Sequence, residues 1–199
     1  MRRDRLAKWS VAVALAFAAS AAAAAQETAQ KLFESGNYGA VVERAASGAP
    51  EDIYLAALAH LKAGNSEGAT NELRRLQEQG DEGWKQIGAS GVAMVANNDG
   101  EAVAAGRRAA EAAGDNPYAH YQLGLAAAAA GDFGTAAPAF ERATQIKPDF
   151  AYAHYYAGQS FQKQRNISKA GEHYQYFLKL APDSPDRGAI EAIMRSMRG

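Results

Sequence analysis

Histidine is the residue type in this chain best suited to metal binding and proton transfer, and the sequence contains four of them. His120 and His154 recur 34 residues apart, each two positions after a tyrosine. Such recurrence indicates a repeated structural position. His60 and His173 belong to no ligand-spaced cluster such as H-E-x-x-H. The histidines therefore predict no metal centre, and we expect no cofactor.

The other residue types that carry chemistry form no reactive pattern. The sequence contains no G-x-S-x-G motif, no phosphate-binding glycine loop and no cysteine. Ser168 and Lys169 are adjacent, but both belong to the polar start of a predicted helix. The carboxylates are scattered along predicted helix faces that solvent covers. We predict that the protein is not an enzyme.

The elements that position these residues are predicted to be helices. The composition, 48% hydrophobic and 22% charged, is that of a globular chain. Alanine runs such as residues 126–130 favour helix, because alanine loses no side-chain entropy there. No segment alternates β-branched or aromatic residues with polar ones over the length of a strand. The near balance of 21 basic and 22 acidic residues argues against nucleic acid as the main partner.

Residues 1–25 have the three parts of a signal peptide: a basic start, an apolar stretch and a tail of small residues. The small side chains of Ala23 and Ala25 suit a signal peptidase, which predicts cleavage before Gln26. An uncleaved anchor helix is the alternative, because this segment approaches the minimal length of a membrane span. Without cysteine the chain has no lipoprotein acylation site. We expect a periplasmic or secreted protein with no membrane span after processing.

Two segments of the C-terminal half, residues 117–150 and 151–184, align with each other without a gap. Their matching pairs are Tyr118 with Tyr152, His120 with His154, Tyr121 with Tyr155, Gly124 with Gly158, Ala136 with Ala170, Phe140 with Tyr174, and Pro148 with Pro182. Internal repetition of this kind indicates a stack of similar units.

These segments resemble the tetratricopeptide repeat (TPR), whose signature places Leu-Gly, alanine, an aromatic residue and a closing proline at fixed offsets. Leu123, Gly124, Ala136, Phe140 and Pro148 fit that signature. The resemblance implies paired helices in which glycine and alanine allow close approach and the aromatic ring fills the gap. His120 and His154 depart from it, since the family usually has a large aromatic residue there.

Weaker forms of the pattern extend over the rest of the chain. We predict one TPR domain over residues 26–199, with repeats at about 27–49, 50–80, 81–116, 117–150 and 151–184 and a capping helix at 185–198. The predicted fold class is all-α, a TPR-type α-solenoid of stacked antiparallel helix hairpins with a C-terminal capping helix.

In the family, the first helix of each repeat lines a concave groove that binds extended peptides or partner helices. The corresponding residues of this chain are Tyr54, Leu58, Lys85, Tyr118, Tyr121, Leu125, Tyr152, Tyr155, Gln159 and Gln162. A tyrosine ladder suits peptide binding. The alternative is plain packing, because tyrosine is common at these positions of the family. No carboxylate clamp is expected, since its basic and amide residues are replaced.

The predicted function is an exported, non-catalytic scaffold that binds a protein or peptide partner and supports assembly or stability of a cell-envelope complex. An accessory subunit of an exported enzyme is one alternative, and it predicts a buried polar cluster within residues 27–116. A self-associating structural protein is another, with a homo-oligomer formed through the apolar stripe of Ile190, Ile193 and Met197.

Overall fold

A computed structural model describes residues 27–197, and these residues form eleven α-helices and no β-strand. The helices are α1 (Ala29–Glu34), α2 (Tyr38–Arg44), α3 (Pro50–Lys62), α4 (Ser66–Gln79), α5 (Glu82–Val95), α6 (Asp99–Ala112), α7 (Pro117–Ala129), α8 (Phe133–Ile146), α9 (Ala151–Lys163), α10 (Ile167–Leu180) and α11 (Arg187–Ser196). The predicted signal peptide, with Ala23, Ala25 and Gln26, lies outside the described residues. Among residues 27–197, no helix has the length and apolar character needed to cross a membrane.

Asparagine and aspartate begin most of these helices. Seven helices follow an Asn or Asp whose side chain accepts a hydrogen bond from a backbone N–H of the first turn, which satisfies a donor that the helix leaves free. These residues are Asn37, Asn65, Asp81, Asn98, Asn116, Asp132 and Asn166. Three helices, α3, α9 and α11, begin without a side-chain capping bond, and Phe150 is the residue that precedes α9.

Consecutive helices pack in pairs, and glycine sets how closely they approach. A Cβ atom on Gly124 of α7 would lie 2.7 Å from the ring of Phe140 in α8. A Cβ atom on Gly158 of α9 would lie 2.7 Å from the ring of Tyr174 in α10. The aromatic ring therefore fills the space that the missing side chain leaves, as the repeat predicts. The all-α solenoid of stacked hairpins is confirmed.

Candidate binding groove

The first helices of the five hairpins, α1, α3, α5, α7 and α9, form the inner layer of the solenoid. A cavity of about 240 Å³ lies between them, and all of its lining residues belong to these five helices. The lining residues are Phe33, Leu58, Leu61, Lys62, Met94, Tyr121, Leu125 and Tyr156. The cavity is apolar apart from the ammonium group of Lys62 and the tyrosine hydroxyls, so it suits an apolar side chain of a ligand.

The residues predicted to line a groove lie on this inner layer, and half of them are buried. Leu58, Tyr121 and Leu125 line the cavity. The buried members of the predicted set are Tyr54, Leu58, Tyr118, Tyr121 and Tyr152; Leu125, Tyr155, Gln159 and Gln162 are partly exposed, and Lys85 is exposed. Of the predicted tyrosine ladder, only Tyr155 is partly exposed, and binding at these residues stays a prediction.

The tyrosines are covered because aromatic rings from different hairpins pack against one another. The ring of Tyr118 lies 5.7 Å from that of Tyr54 and 5.3 Å from that of Phe150. Phe150 in turn lies 4.6 Å from Tyr121. Tyr121 and Tyr155 both contact the ring of Tyr156, at 5.9 and 4.8 Å, so they belong to one inner aromatic layer.

A chain of buried polar groups crosses this layer and joins three hairpins. The hydroxyl of Tyr54 donates to Gln122 Oε1 at 2.8 Å, and Gln122 Nε2 donates to Ser90 Oγ at 3.1 Å. Ser90 Oγ donates to the carbonyl of Ala102 at 2.7 Å. Burial raises the pKa of Tyr54 well above its usual value, so its phenol remains a donor. The sequence did not predict that Gln122 and Ser90 join the hairpins. The one sign of this role was that each is a polar residue at a helix position that the repeat buries.

The helix α1 contacts the fifth hairpin, although 117 residues separate Glu34 from Ala151. The ring of Phe33 lies 5.0 Å from that of Tyr152. Gln30 Nε2 donates to the carbonyl of Asp149 at 2.8 Å, and Glu34 Oε1 accepts from the backbone N–H of Ala151 at 2.9 Å. The first hairpin therefore closes the inner face against the fifth.

A second set of contacts joins α3 to the segment before α11. Lys62 Nζ lies 2.9 Å from Asp186 Oδ2 and 4.8 Å from the ring centre of Tyr152. The Tyr152 hydroxyl donates to the same carboxylate at 2.6 Å. Burial would raise the pKa of Asp186, but the hydrogen bonds from Tyr152 and Lys62 outweigh it and lower that pKa. The bonds from Lys62 and Tyr152 therefore favour an ionised Asp186 in the folded chain.

The repeated histidines have one structural role in common. His120 Nε2 lies 3.0 Å from the carbonyl of Gly114, and His154 Nε2 lies 3.2 Å from that of Pro148. In both cases the ring bonds to the loop that precedes its own helix. This shared contact explains why histidine recurs at the position.

His154 also faces His173, with their Nδ1 atoms 3.1 Å apart. Because Nε2 of His154 donates to a carbonyl, its Nδ1 is assigned as the acceptor of the His173 Nδ1–H. Burial and the neighbouring His173 together lower the pKa of His154 to about 4. Burial also lowers the pKa of His173. The charge of Glu141 acts in the opposite direction, and that of Lys169 adds to the lowering. The pair is neutral at pH 7. Within residues 27–197, no three potential metal ligands come together.

Comparison with known proteins agrees with this architecture. The tetratricopeptide repeat family matches residues 117–150, which coincide with the predicted fourth repeat. Among curated proteins there is no match. The TPR protein TTC0263 of Thermus thermophilus is 18% identical, with a TM-score of 0.59, and the match covers 82% of this chain and 91% of that one.

Two further solved structures have a similar fold. YrrB, a TPR protein, is 20% identical, with a TM-score of 0.52 over 80% of this chain and 81% of its own. The TPR domain of Arabidopsis OM64 is 16% identical, with a TM-score of 0.54 over 58% of this chain and 95% of its own. Identities this low show the fold alone. Residues 117–150 are a tetratricopeptide repeat, and the chain has the fold of a TPR solenoid.

Proposed function

We propose that this chain is an exported, non-catalytic scaffold that binds another protein and so supports assembly or stability of a cell-envelope complex. The observation that carries the binding proposal is the apolar cavity of about 240 Å³ between the first helices. Concave apolar sites with a few polar groups are the usual form of a ligand pocket. Here Lys62 supplies a cation beside an otherwise apolar lining.

The family resemblance supports a protein or peptide as the ligand. TPR proteins generally act as non-catalytic interaction scaffolds, and YrrB is described as a TPR protein with an unusual peptide-binding site. Export to the periplasm or outside the cell rests on the signal-peptide pattern of residues 1–25. N-terminal sequencing of the exported chain tests this part, and a start at Gln26 is the expected result.

The test of binding is crosslinking in cells that export the chain, followed by recovery of crosslinked proteins. We choose Leu125→Gln combined with Tyr155→Ala, because both residues are partly exposed on the inner layer. Tyr121 is avoided because it is only 1% exposed, and its truncation would remove a core ring. Ile167→Gln is the control, since Ile167 is 46% exposed and does not line the cavity.

The double substitution is expected to lose the recovered partner, while Ile167→Gln retains it. Equal recovery from the two variants would rule out the inner layer as the binding surface. Both variants must first show the melting temperature of the unsubstituted chain within a few degrees, so that loss of fold is not mistaken for loss of binding.

Self-association remains the second candidate, and one feature favours it. The helix α11 leaves a cavity of about 340 Å³ beside α10, lined in part by Leu178 and Met194. The predicted stripe is partly covered by its own chain, because Ile190 is 1% exposed while Ile193 and Met197 are partly buried. Light scattering tests this candidate, and a monomeric mass would remove it.

The enzyme-subunit alternative predicted a buried polar cluster within residues 27–116. Gln30, Glu34 and Ser90 are buried there. Gln30 bonds to Glu34 and to a backbone carbonyl, and Ser90 bonds to a backbone carbonyl and to Gln122. Bonds of this kind satisfy buried polar groups within a fold, so these three residues give the enzyme-subunit alternative no support.

A further inference from the structure

In an extended solenoid each repeat contacts only its neighbours in the sequence. The helix α1 departs from this rule, because its side chains contact the start of α9, which belongs to the last of the five hairpins. It also supplies Phe33 to the wall of the cavity between the first helices. The same short segment therefore forms part of the cavity wall and bonds to the last hairpin.

The contact at α9 replaces a cap that the fifth repeat lacks. In the fourth repeat, Asn116 caps α7 by accepting from the N–H of Tyr118. The equivalent position before α9 is Phe150, which has no side-chain acceptor. Glu34 accepts from the N–H of Ala151 instead, and this carboxylate is 2% exposed. A negative charge at this end is also favoured by the helix dipole.

Two neighbouring side chains of α1 complete the contact. Gln30 is 4% exposed and donates both to Glu34 and to the carbonyl of Asp149. Phe33 is 1% exposed and packs on Tyr152. Together they show what this part of the inner face accepts: a large apolar side chain adjacent to a carboxylate, carried on a short helix.

The first hairpin is small enough to leave this place. The helix α1 has six residues and α2 has seven, and helices this short are not stable alone. The hairpin is joined to α3 by a short connection that includes Gly48, which has a φ of 80°. Departure of α1 would remove Phe33 from the wall of the cavity and expose the ring of Tyr152.

We propose that α1 is an intramolecular ligand of the groove, and that the protein partner competes for its place with a segment in which a large apolar side chain precedes a carboxylate. This inference rests on the proposed function and names the chemistry of the partner. Binding by the partner then requires release of α1, so the apparent affinity of the chain is lower than the affinity of the released groove.

The test is a titration of the full chain against a fluorescent peptide with the sequence of residues 27–37, followed by anisotropy. The peptide is expected to bind the Phe33→Ala chain about tenfold more tightly than the unsubstituted chain, because the competing segment is weakened. Two control peptides carry the changes Phe33→Ala and Glu34→Gln. Each is expected to bind the Phe33→Ala chain about tenfold more weakly than the parent peptide.

Circular dichroism and a thermal melt confirm that the substituted chain is folded. If Phe33→Ala unfolds the chain, the nearly isosteric Glu34→Gln chain takes its place in the titration with the parent peptide. Equal affinity of the folded variant and the unsubstituted chain for the peptide, or no preference among the three peptides, would overturn the proposal.

The outcome separates this inference from the proposed function. Selective peptide binding without any crosslinked partner supports the intramolecular ligand and counts against the scaffold function. A crosslinked partner recovered equally from the Phe33→Ala and unsubstituted chains, with no peptide binding, supports the scaffold and refutes the intramolecular ligand.

Discussion

The fourth and fifth hairpins contain the same 34-residue pattern but contact different parts of the molecule. In both hairpins a glycine of the first helix packs against an aromatic ring of the second. In both, a histidine of the first helix bonds to the loop that precedes that helix. They differ where the pattern is broken. Asn116 caps α7 locally, whereas α9 depends on the remote Glu34. The repeated glycine and aromatic residues therefore set the packing within each hairpin. Phe150, which breaks the repeat, leaves the start of α9 to a residue of a distant hairpin.

The strongest way to test the shared part of this comparison is to fill the two equivalent glycines. Gly124→Ala and Gly158→Ala each place a methyl group about 2.7 Å from an aromatic ring. We expect each to lower the free energy of unfolding by about 1–3 kcal/mol, measured by urea denaturation. Gly188→Ala is the control, because no atom beyond its own stretch of backbone lies within 4 Å of its Cβ position. A cost at only one of the two positions would contradict the equivalence of the hairpins.

A second difference between the two hairpins lies at the repeat position of Gln122, which is Tyr156 in the fifth hairpin. Gln122→Leu removes the acceptor of the Tyr54 hydroxyl and one of the two hydrogen-bonding partners of Ser90, which keeps its bond to the Ala102 carbonyl. We expect a loss of about 2 kcal/mol in the free energy of unfolding, because buried polar groups lose their partners.

A double-mutant cycle checks this assignment. Adding Tyr54→Phe to Gln122→Leu is expected to cost less than Tyr54→Phe alone, since the hydroxyl has already lost its acceptor. Strictly additive losses would mean that the two side chains are not coupled.

Removing the capping residue of α7 or of α9 is expected to lower the free energy of unfolding by less, and in different parts of the molecule. Asn116→Ala and Glu34→Gln are each expected to cost about 1 kcal/mol. Hydrogen exchange distinguishes them, because Asn116→Ala loosens only the start of α7. Glu34→Gln is expected to raise exchange both in α1 and at the start of α9. Faster exchange confined to α1 would show that Glu34 does not support α9.

The dependence of stability on pH tests the histidine pair of the fifth hairpin. The pKa of His154 is lowered from 6.5 to about 4 in the folded chain, so the unfolded chain binds more protons between these values. Stability from the histidine pair is complete above about pH 6.5 and falls as the pH drops toward 4. His154→Phe is expected to reduce this fall in the melting temperature.

His120→Phe provides the matched control for that experiment. His120 occupies the same repeat position but contacts the Gly114 carbonyl on Nε2 and is not the partner of His173. Its substitution leaves the His154–His173 pair intact and is expected to change the pH dependence of the melting temperature less than His154→Phe does. Equal pH dependence in the two variants would mean that the His154–His173 pair does not titrate as described.

The sequence was sufficient for the fold because repetition makes the packing residues visible. Gly124, Phe140, Gly158 and Tyr174 recur at fixed offsets, and each pair meets as the pattern predicts. The same positions also indicated which side chains lie on the inner layer. The repeat positions did not indicate how exposed these side chains are, because their exposure depends on whether remote hairpins close over the inner layer.

The closing contacts could not be read from the sequence for a physical reason. Glu34 resembles any polar residue of a solvated helix end, and its partner Ala151 contributes only a backbone N–H. The histidine pair joins His154 to a non-repeated residue, so periodicity gives no sign of it. The absence of a capping side chain at Phe150 was the one signal that α9 needs a remote partner.

The first hairpin closes the inner layer against the end of the fifth. Lys31 and Asp183 are both exposed and line one small cavity across this contact, and the sequence has no other cysteine to interfere with labelling. Spin labels on Lys31→Cys and Asp183→Cys therefore measure the closure directly by electron paramagnetic resonance. Strong dipolar broadening from a single short distance between the labels is the expected result. Spectra without broadening, as expected of an extended solenoid, would contradict it.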